Sequence, residues 1–131
     1  EQYPQGLGHT AGALRELLPE NAAVLEKSAF GCLEDAAIRS HLDTLGRKQV
    51  VVCGLEGHVC VNQTVHQLLA AGYEVHLVQD AVTSRHKKNL KAALAKMAQS
   101  GAIPTCVEMV LFEWMERAGT PEFKQLQALI K

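Results

Sequence analysis

Gln49 to Gln63 reads QVVVCGLEGHVCVNQ, and the rest of the chain is organised around it. Val50 to Cys53 is a continuous apolar run, too short for a helix and β-branched enough for a buried strand. Gly54 and Gly57 break the run. From His58 the pattern changes period, and Val61, Val65, Leu68 and Leu69 follow helical spacing up to Gly72. The stretch predicts strand, tight turn and helix, with Cys60 where the helix begins.

That position has a chemical consequence. The unpaired N–H groups of a first helical turn, with the aligned peptide dipoles, favour an anion. A cysteine placed there ionises more readily, and the thiolate is the nucleophile. The same N–H groups can hold an oxyanion, in a geometry resembling the nucleophile elbow of serine hydrolases. The competing expectation is that Cys60 is a small buried apolar residue.

Outward from this core, the pattern repeats. Upstream, Thr10 is expected to cap a short helix with an inner face of Leu14, Leu17 and Leu18, stopped by Pro19. Ala22 to Glu26 reads as a short buried strand, Lys27 to Leu33 as a loop, and Glu34 to Leu45 as a helix facing inward through Ile38, Leu42 and Leu45. Downstream come a strand over Glu74 to Gln79, a polar loop over Asp80 to His86, and a helix over Lys87 to Ser100. That helix is buried through Leu90, Ala93, Leu94 and Met97. Ala102 to Thr105 starts a last strand. Val107 to Ala118 is apolar on most sides, so it is expected to be largely buried or to form an interface. Pro121 opens a final helix through Leu129. Alternating strands and helices mean βαβ units, a mostly parallel sheet and a three-layer, Rossmann-like α/β/α domain.

Composition narrows the function classes. The 131 residues fit one domain, and a formal net charge of -1 with 21% charged residues creates no field for nucleic acid or a membrane surface. No apolar run approaches a transmembrane span. The opening EQYPQGLG has no basic and apolar start, so no leader is expected. The four cysteines lack a C-x-x-C pair and are expected to be reduced thiols of a cytoplasmic protein. The histidines are scattered without metal-ligand spacing, and GLEG matches neither nucleotide-binding pattern, so neither metal nor cofactor is expected.

Ligands of an open parallel sheet bind outside the carboxyl ends of the strands. Four segments qualify: Lys27 to Leu33, Gly54 to Cys60, Asp80 to His86 and the residues after Thr105. A lysine near the thiol would favour the thiolate, so Lys27 and Cys60 are paired as candidates. Phe30 and His58 are candidate pocket-lining residues, with His58 either a base or a turn residue bonded to nearby backbone. Cys32 is expected to be a loop thiol near the pocket. Asp80 is expected to satisfy N–H groups of its own turn, and Trp114 and the methionines to be core.

The motifs EKSAFGC (26–32), VVVCGLEGHVCVNQTV (50–65), GYEVHLVQDAVTSR (72–85) and SGAIPTCVEMVLFEWM (100–115) resemble the isochorismatase-like cysteine hydrolase superfamily. This includes nicotinamidases, N-carbamoylsarcosine amidases and isochorismatases. EQYPQGLG and GLEGHVC look most like the isochorismatase domain-containing proteins. The resemblance implies that Cys60 is the nucleophile and Lys27 the triad lysine. The Leu55–Glu56 bond matches the family's cis peptide, aiming the Glu56 and Cys60 N–H groups as an oxyanion hole. It also implies thiolate attack on a small amide-type carbonyl, a thioester intermediate, and dimers or tetramers. The family's catalytic aspartate lies on a first strand upstream of EQYP. Residues 1–131 are therefore expected to be a single but N-terminally incomplete domain, lacking the first strand and helix. The alternative is a catalytically silent member acting as an oligomeric interaction scaffold. A redox-sensing role for Cys60 with Cys32 is a third expectation.

Overall fold

The computed structural model describes residues 1–130. Near the start are two single-turn helices, α1 (Pro4–Leu7) and α2 (Gly12–Arg15). A 3₁₀ turn over Cys32–Glu34 leads into α3 (Ala36–Leu45). Asp35 starts α3 by accepting the N–H groups of Ala37 and Ile38, and Gly46 ends it in the left-handed region. The strand β1 (Gln49–Gly54) runs through a π-helical turn, Gly57–Val61, into α4 (Asn62–Ala70). Then follow β2 (Glu74–Val82), α5 (Lys87–Gln99), β3 (Ile103–Thr105), α6 (Val107–Met115) and α7 (Pro121–Leu129).

The three strands form a parallel sheet in the order β1-β2-β3. Alternation along β2 shows why two faces form. Val75 and Leu77 point to one side, where Val65 and Leu68 of α4 and Ala93 and Met97 of α5 complete the core. His76 and Val51 point to the other side, where Val110 and Trp114 of α6 border a shared groove with them. The architecture is thus α/β with helices on both faces, as the two periodicities predict. One edge of β1 carries β2; its other edge pairs with no strand among the described residues.

Several expectations fail, each for a packing reason. Ala22 to Glu26 is not a strand. Its neighbourhood forms one isolated parallel bridge, Gln2 with Lys27, and the left-handed turn at Tyr3 ends the pairing there. The helix expected from Thr10 shrinks to Gly12–Arg15, and Leu14, Leu17 and Leu18 stay exposed because nothing packs against them. Leu45, in the last turn of α3, is exposed as well. β2 runs on to Val82, taking Asp80 out of the loop: past an irregularity after Val52, Gly54 of β1 pairs with Val82. Trp114 is 69% exposed, and Met109 is exposed too; of the three methionines only Met97 is fully buried. α6 touches the sheet mainly through Val110, so of its two expected fates it is not the largely buried one, and its apolar residues Met109, Phe112 and Trp114 are left exposed.

Candidate functional site

The turn after β1 is built by the backbone. Gly54 sits at φ +121, a region that strains any other residue. The Leu55–Glu56 peptide is cis. Gly57 donates to Thr83 O at 2.8 Å, and a Cβ there would fall 2.9 Å from both Leu90 and Val82. The β2 extension therefore presses against the turn that carries Cys60. Glu56 O receives the N–H groups of Val59 and Val61, which winds the π turn. The Glu56 N–H has no acceptor among the described residues.

A cleft of about 420 Å³ opens beside the unpaired edge of β1. Cys60, Lys27, Gln2 and Cys32 border it, with apolar walls from Ile38, Leu42 and Leu68 among others. Lys27 and Cys60 thus come to one cavity. Its second half is fastened to α4: Thr64 Oγ1 accepts Cys32 N–H at 3.1 Å, and Gln67 Oε1 accepts Leu33 N–H at 2.9 Å. Lys27 reaches the cleft through the bridge with Gln2, in which it donates its N–H to Glu1 O and accepts from Tyr3 N–H.

The three ammonium hydrogens of Lys27 meet three acceptors: Ala29 O at 2.9 Å, Phe30 O at 2.8 Å, and Gln2 Oε1. Cys60 Sγ donates to the same Gln2 oxygen at 3.8 Å. Gln2 Nε2 donates to Ser28 O at 2.7 Å. Gln2 therefore joins the two candidate groups, and sequence reasoning missed it. No periodicity marks a glutamine; its place follows from a pairing 25 positions along the chain.

Other expected residues lie elsewhere. Phe30 contributes its carbonyl to Lys27, but its ring is exposed and does not border the cleft. His58 is turned away as well. Its Nδ1 lies 3.1 Å from Ser84 Oγ and 3.4 Å from Glu56 Oε2, and it borders a separate depression with Asn62, Asn89 and Lys96. The Glu56 carboxylate follows it, accepting Arg85 N–H at 3.4 Å. Asp80 is structural, but not for its own turn: Oδ1 accepts Val107 N–H at 2.9 Å and so caps α6. All four cysteines are free thiols.

Glu1 is the one carboxylate bordering the cleft among the described residues. Both its oxygens serve the loop beside it: Oε1 accepts Thr10 N–H at 2.7 Å, and Oε2 faces His9 Nδ1 at 2.8 Å. The Thr10 N–H first, then His9, hold this carboxyl down at about 2. Glu26 brings its carboxylate within 4.8 Å of the same pair, a cluster that residue spacing did not reveal. Glu1 is spent inside that clasp, so no carboxylate of the described residues is directed at Cys60.

No helix of the described residues is long and apolar enough to cross a membrane. Residues 6–109 match the Isochorismatase domain. The chain is 42% identical over 134 residues to the secreted isochorismatase effector Isc1 of Phytophthora sojae, covering 99% of this chain and 63% of that protein. A solved structure named MAR1 ribonuclease, from Caenorhabditis elegans, superposes with a TM-score of 0.88 at 41% identity, covering 99% of this chain and 66% of that one. A zinc-bound pyrazinamidase of Pyrococcus horikoshii gives a TM-score of 0.64 at 29% identity, over 68% of this chain and 53% of that one. This sequence spans between about half and two thirds of the length of these proteins. Their names differ in substrate while their fold is shared, and on the match over residues 6–109 the chain belongs to the isochorismatase family.

Proposed function

We propose that this chain carries the nucleophile of a cysteine hydrolase acting on a small amide-type carbonyl compound, with Cys60 attacking and Lys27 beside it. The observation that carries the reading is the meeting of Cys60, in the first turn after β1, with Lys27 in one largely apolar cleft. Thiolate attack on the carbonyl carbon forms a C–S bond and places negative charge on the carbonyl oxygen. The Glu56 and Cys60 N–H groups are the donors assigned to that charge. Collapse breaks the C–N bond, the amine leaves with a proton, and water then cleaves the thioester to release the acid and restore the thiol. The base that takes the thiol proton has no counterpart directed at Cys60 here. We assign it to a carboxylate brought to the cleft along the free edge of β1.

The cleft's small volume favours a small molecule over a polymer. Its single lysine is bonded within the protein, which offers little to the phosphates of a nucleic acid. A cytoplasmic setting is supported by four free thiols, although the related effector is named as secreted. Homo-oligomerisation is supported by the exposed apolar residues of α6, Met109, Phe112 and Trp114. The same surface supports the second reading, a catalytically silent scaffold.

Turnover of a panel of small amides by the purified protein and by Cys60→Ala separates the two. The enzyme reading expects release of amine or ammonia that disappears in the variant. A stable oligomer with no turnover of any amide would favour the scaffold.

A further inference from the structure

Gln2 is the least expected member of the cleft, and three of its contacts fix its orientation. Its amide nitrogen donates to Ser28 O at 2.7 Å, and its carbonyl oxygen accepts from the Lys27 ammonium. Rotating the amide by half a turn would set an N–H against the ammonium and an oxygen against the Ser28 carbonyl. The oxygen is therefore locked toward the cleft, where Cys60 Sγ donates to it at 3.8 Å. A carbonyl oxygen accepts from a thiol but offers nothing to a thiolate. The Lys27 hydrogens, meanwhile, are all used, one of them on this same oxygen.

We propose that Gln2 is a positioning residue that clamps Lys27 and Cys60 on one oxygen and holds the ammonium off the sulfur. The role assigned to Gln2 rests on the reading of Cys60 as nucleophile. In the resting site the S–H and N–H donors share the Gln2 oxygen. When the sulfur loses its proton, that oxygen has one donor fewer and the ammonium is the donor left on it. No atoms are exchanged with Gln2 in this step.

Two substitutions of nearly equal length push the site in opposite directions. Gln2→Glu sets a carboxylate against the sulfur, disfavouring the thiolate and binding Lys27 more tightly. Gln2→Met removes the acceptor and returns one Lys27 hydrogen to the cleft. Alkylation by iodoacetamide, read by mass spectrometry on the Cys60 peptide across pH, is the measurement. Relative to the parent protein, the profile should move to higher pH in Gln2→Glu, with alkylation at neutral pH slower by about tenfold. It should move to lower pH in Gln2→Met. Cys32 borders the same cleft and has no bond to Gln2, so its rate is the internal reference. Shifts of both variants in one direction, no shift, or a parallel change at Cys32 would each overturn the clamp. Turnover by Cys60→Ala is read separately. Full activity there removes the nucleophile and with it the role of Gln2, whereas an inactive Cys60→Ala with a Gln2-indifferent thiol removes only the clamp.

Discussion

Residues 49–105 and residues 1–33 have comparable hydrophobic signals in sequence but very different fates. In the first region Val65, Val75, Leu77 and Met97 lose all contact with water. Each strand lies against a neighbour, and each helix covers a sheet face. In the second region Leu7, Leu14, Leu17 and Leu18 are exposed, and Leu17 keeps 79% of its surface. The helices there are single turns, and the only pairing is the Gln2–Lys27 bridge. Apolar spacing states which face a segment would bury; it does not supply the surface that receives that face. The early segment nevertheless delivers Gln2 and Lys27 to the cleft, because one bridge and a few side-chain bonds are enough to aim two side chains.

The sharpest way to break this contrast is in the core of β2. Leu77→Ala should destabilise by about 2–5 kcal/mol, since Leu77 is fully enclosed between the sheet and its helices. Urea denaturation of the parent and variant is the check, and a cost below that of a surface change would mean that the sheet core is not what holds the fold. Gly57→Val comes next, at about 1–3 kcal/mol, because the new Cβ would meet Leu90 and Val82 at 2.9 Å. It should also slow alkylation of Cys60, three residues on; unchanged stability and reactivity would show the turn to be pliable.

In the early region, the Glu1 clasp should respond to acid without unfolding the sheet. The Glu1 carboxyl is held at about 2, below its ordinary 4.5. The carboxylate form is thus the one favoured by folding. Its contribution is present above about 4.5 and is lost as pH falls toward 2. The Thr10 amide resonance should titrate with a midpoint near 2 in the parent and lose that transition in Glu1→Gln; a midpoint at the ordinary carboxyl value would mean the clasp does not form. Leu17→Ala should change stability by less than about 0.5 kcal/mol. A loss of a kcal/mol or more would reveal a partner surface over α2.

Legibility followed the same divide. The change of period at Gly54–Gly57 marked β1, the turn and α4, and the alternation of Val75, Leu77 and their neighbours marked β2, all within a residue or two at the amino ends. The β2 extension to Val82 was hidden because DAV reads as polar loop, and only the pairing of Val82 with Gly54 pulls it into the sheet. Trp114 reads as core because helical apolarity does not distinguish a face on the sheet from a face on solvent. The meeting of Cys60 and Lys27 in one cleft matches the expectation, but Lys27 arrives through its bridge with Gln2 and not from the end of a strand. Gln2 was not readable, since its role depends on three bonds to residues 25 to 58 positions away. His58 failed for a related reason: Ser84, brought close by the β2 extension, turns its ring away from the thiol.

The ladders share one further property. Gln49 pairs with Glu74, His76 with Ile103, and Gln2 with Lys27. Every such pairing joins positions about 25–28 residues apart, so each closes a loop of similar size, at an entropic cost of roughly 3 kcal/mol from length alone. No ladder among the described residues waits on a distant part of the chain. β1 can receive β2 as soon as α4 has followed it, and β2 can receive β3 once α5 has. The three described strands are therefore able to join in the order of synthesis, one crossover at a time.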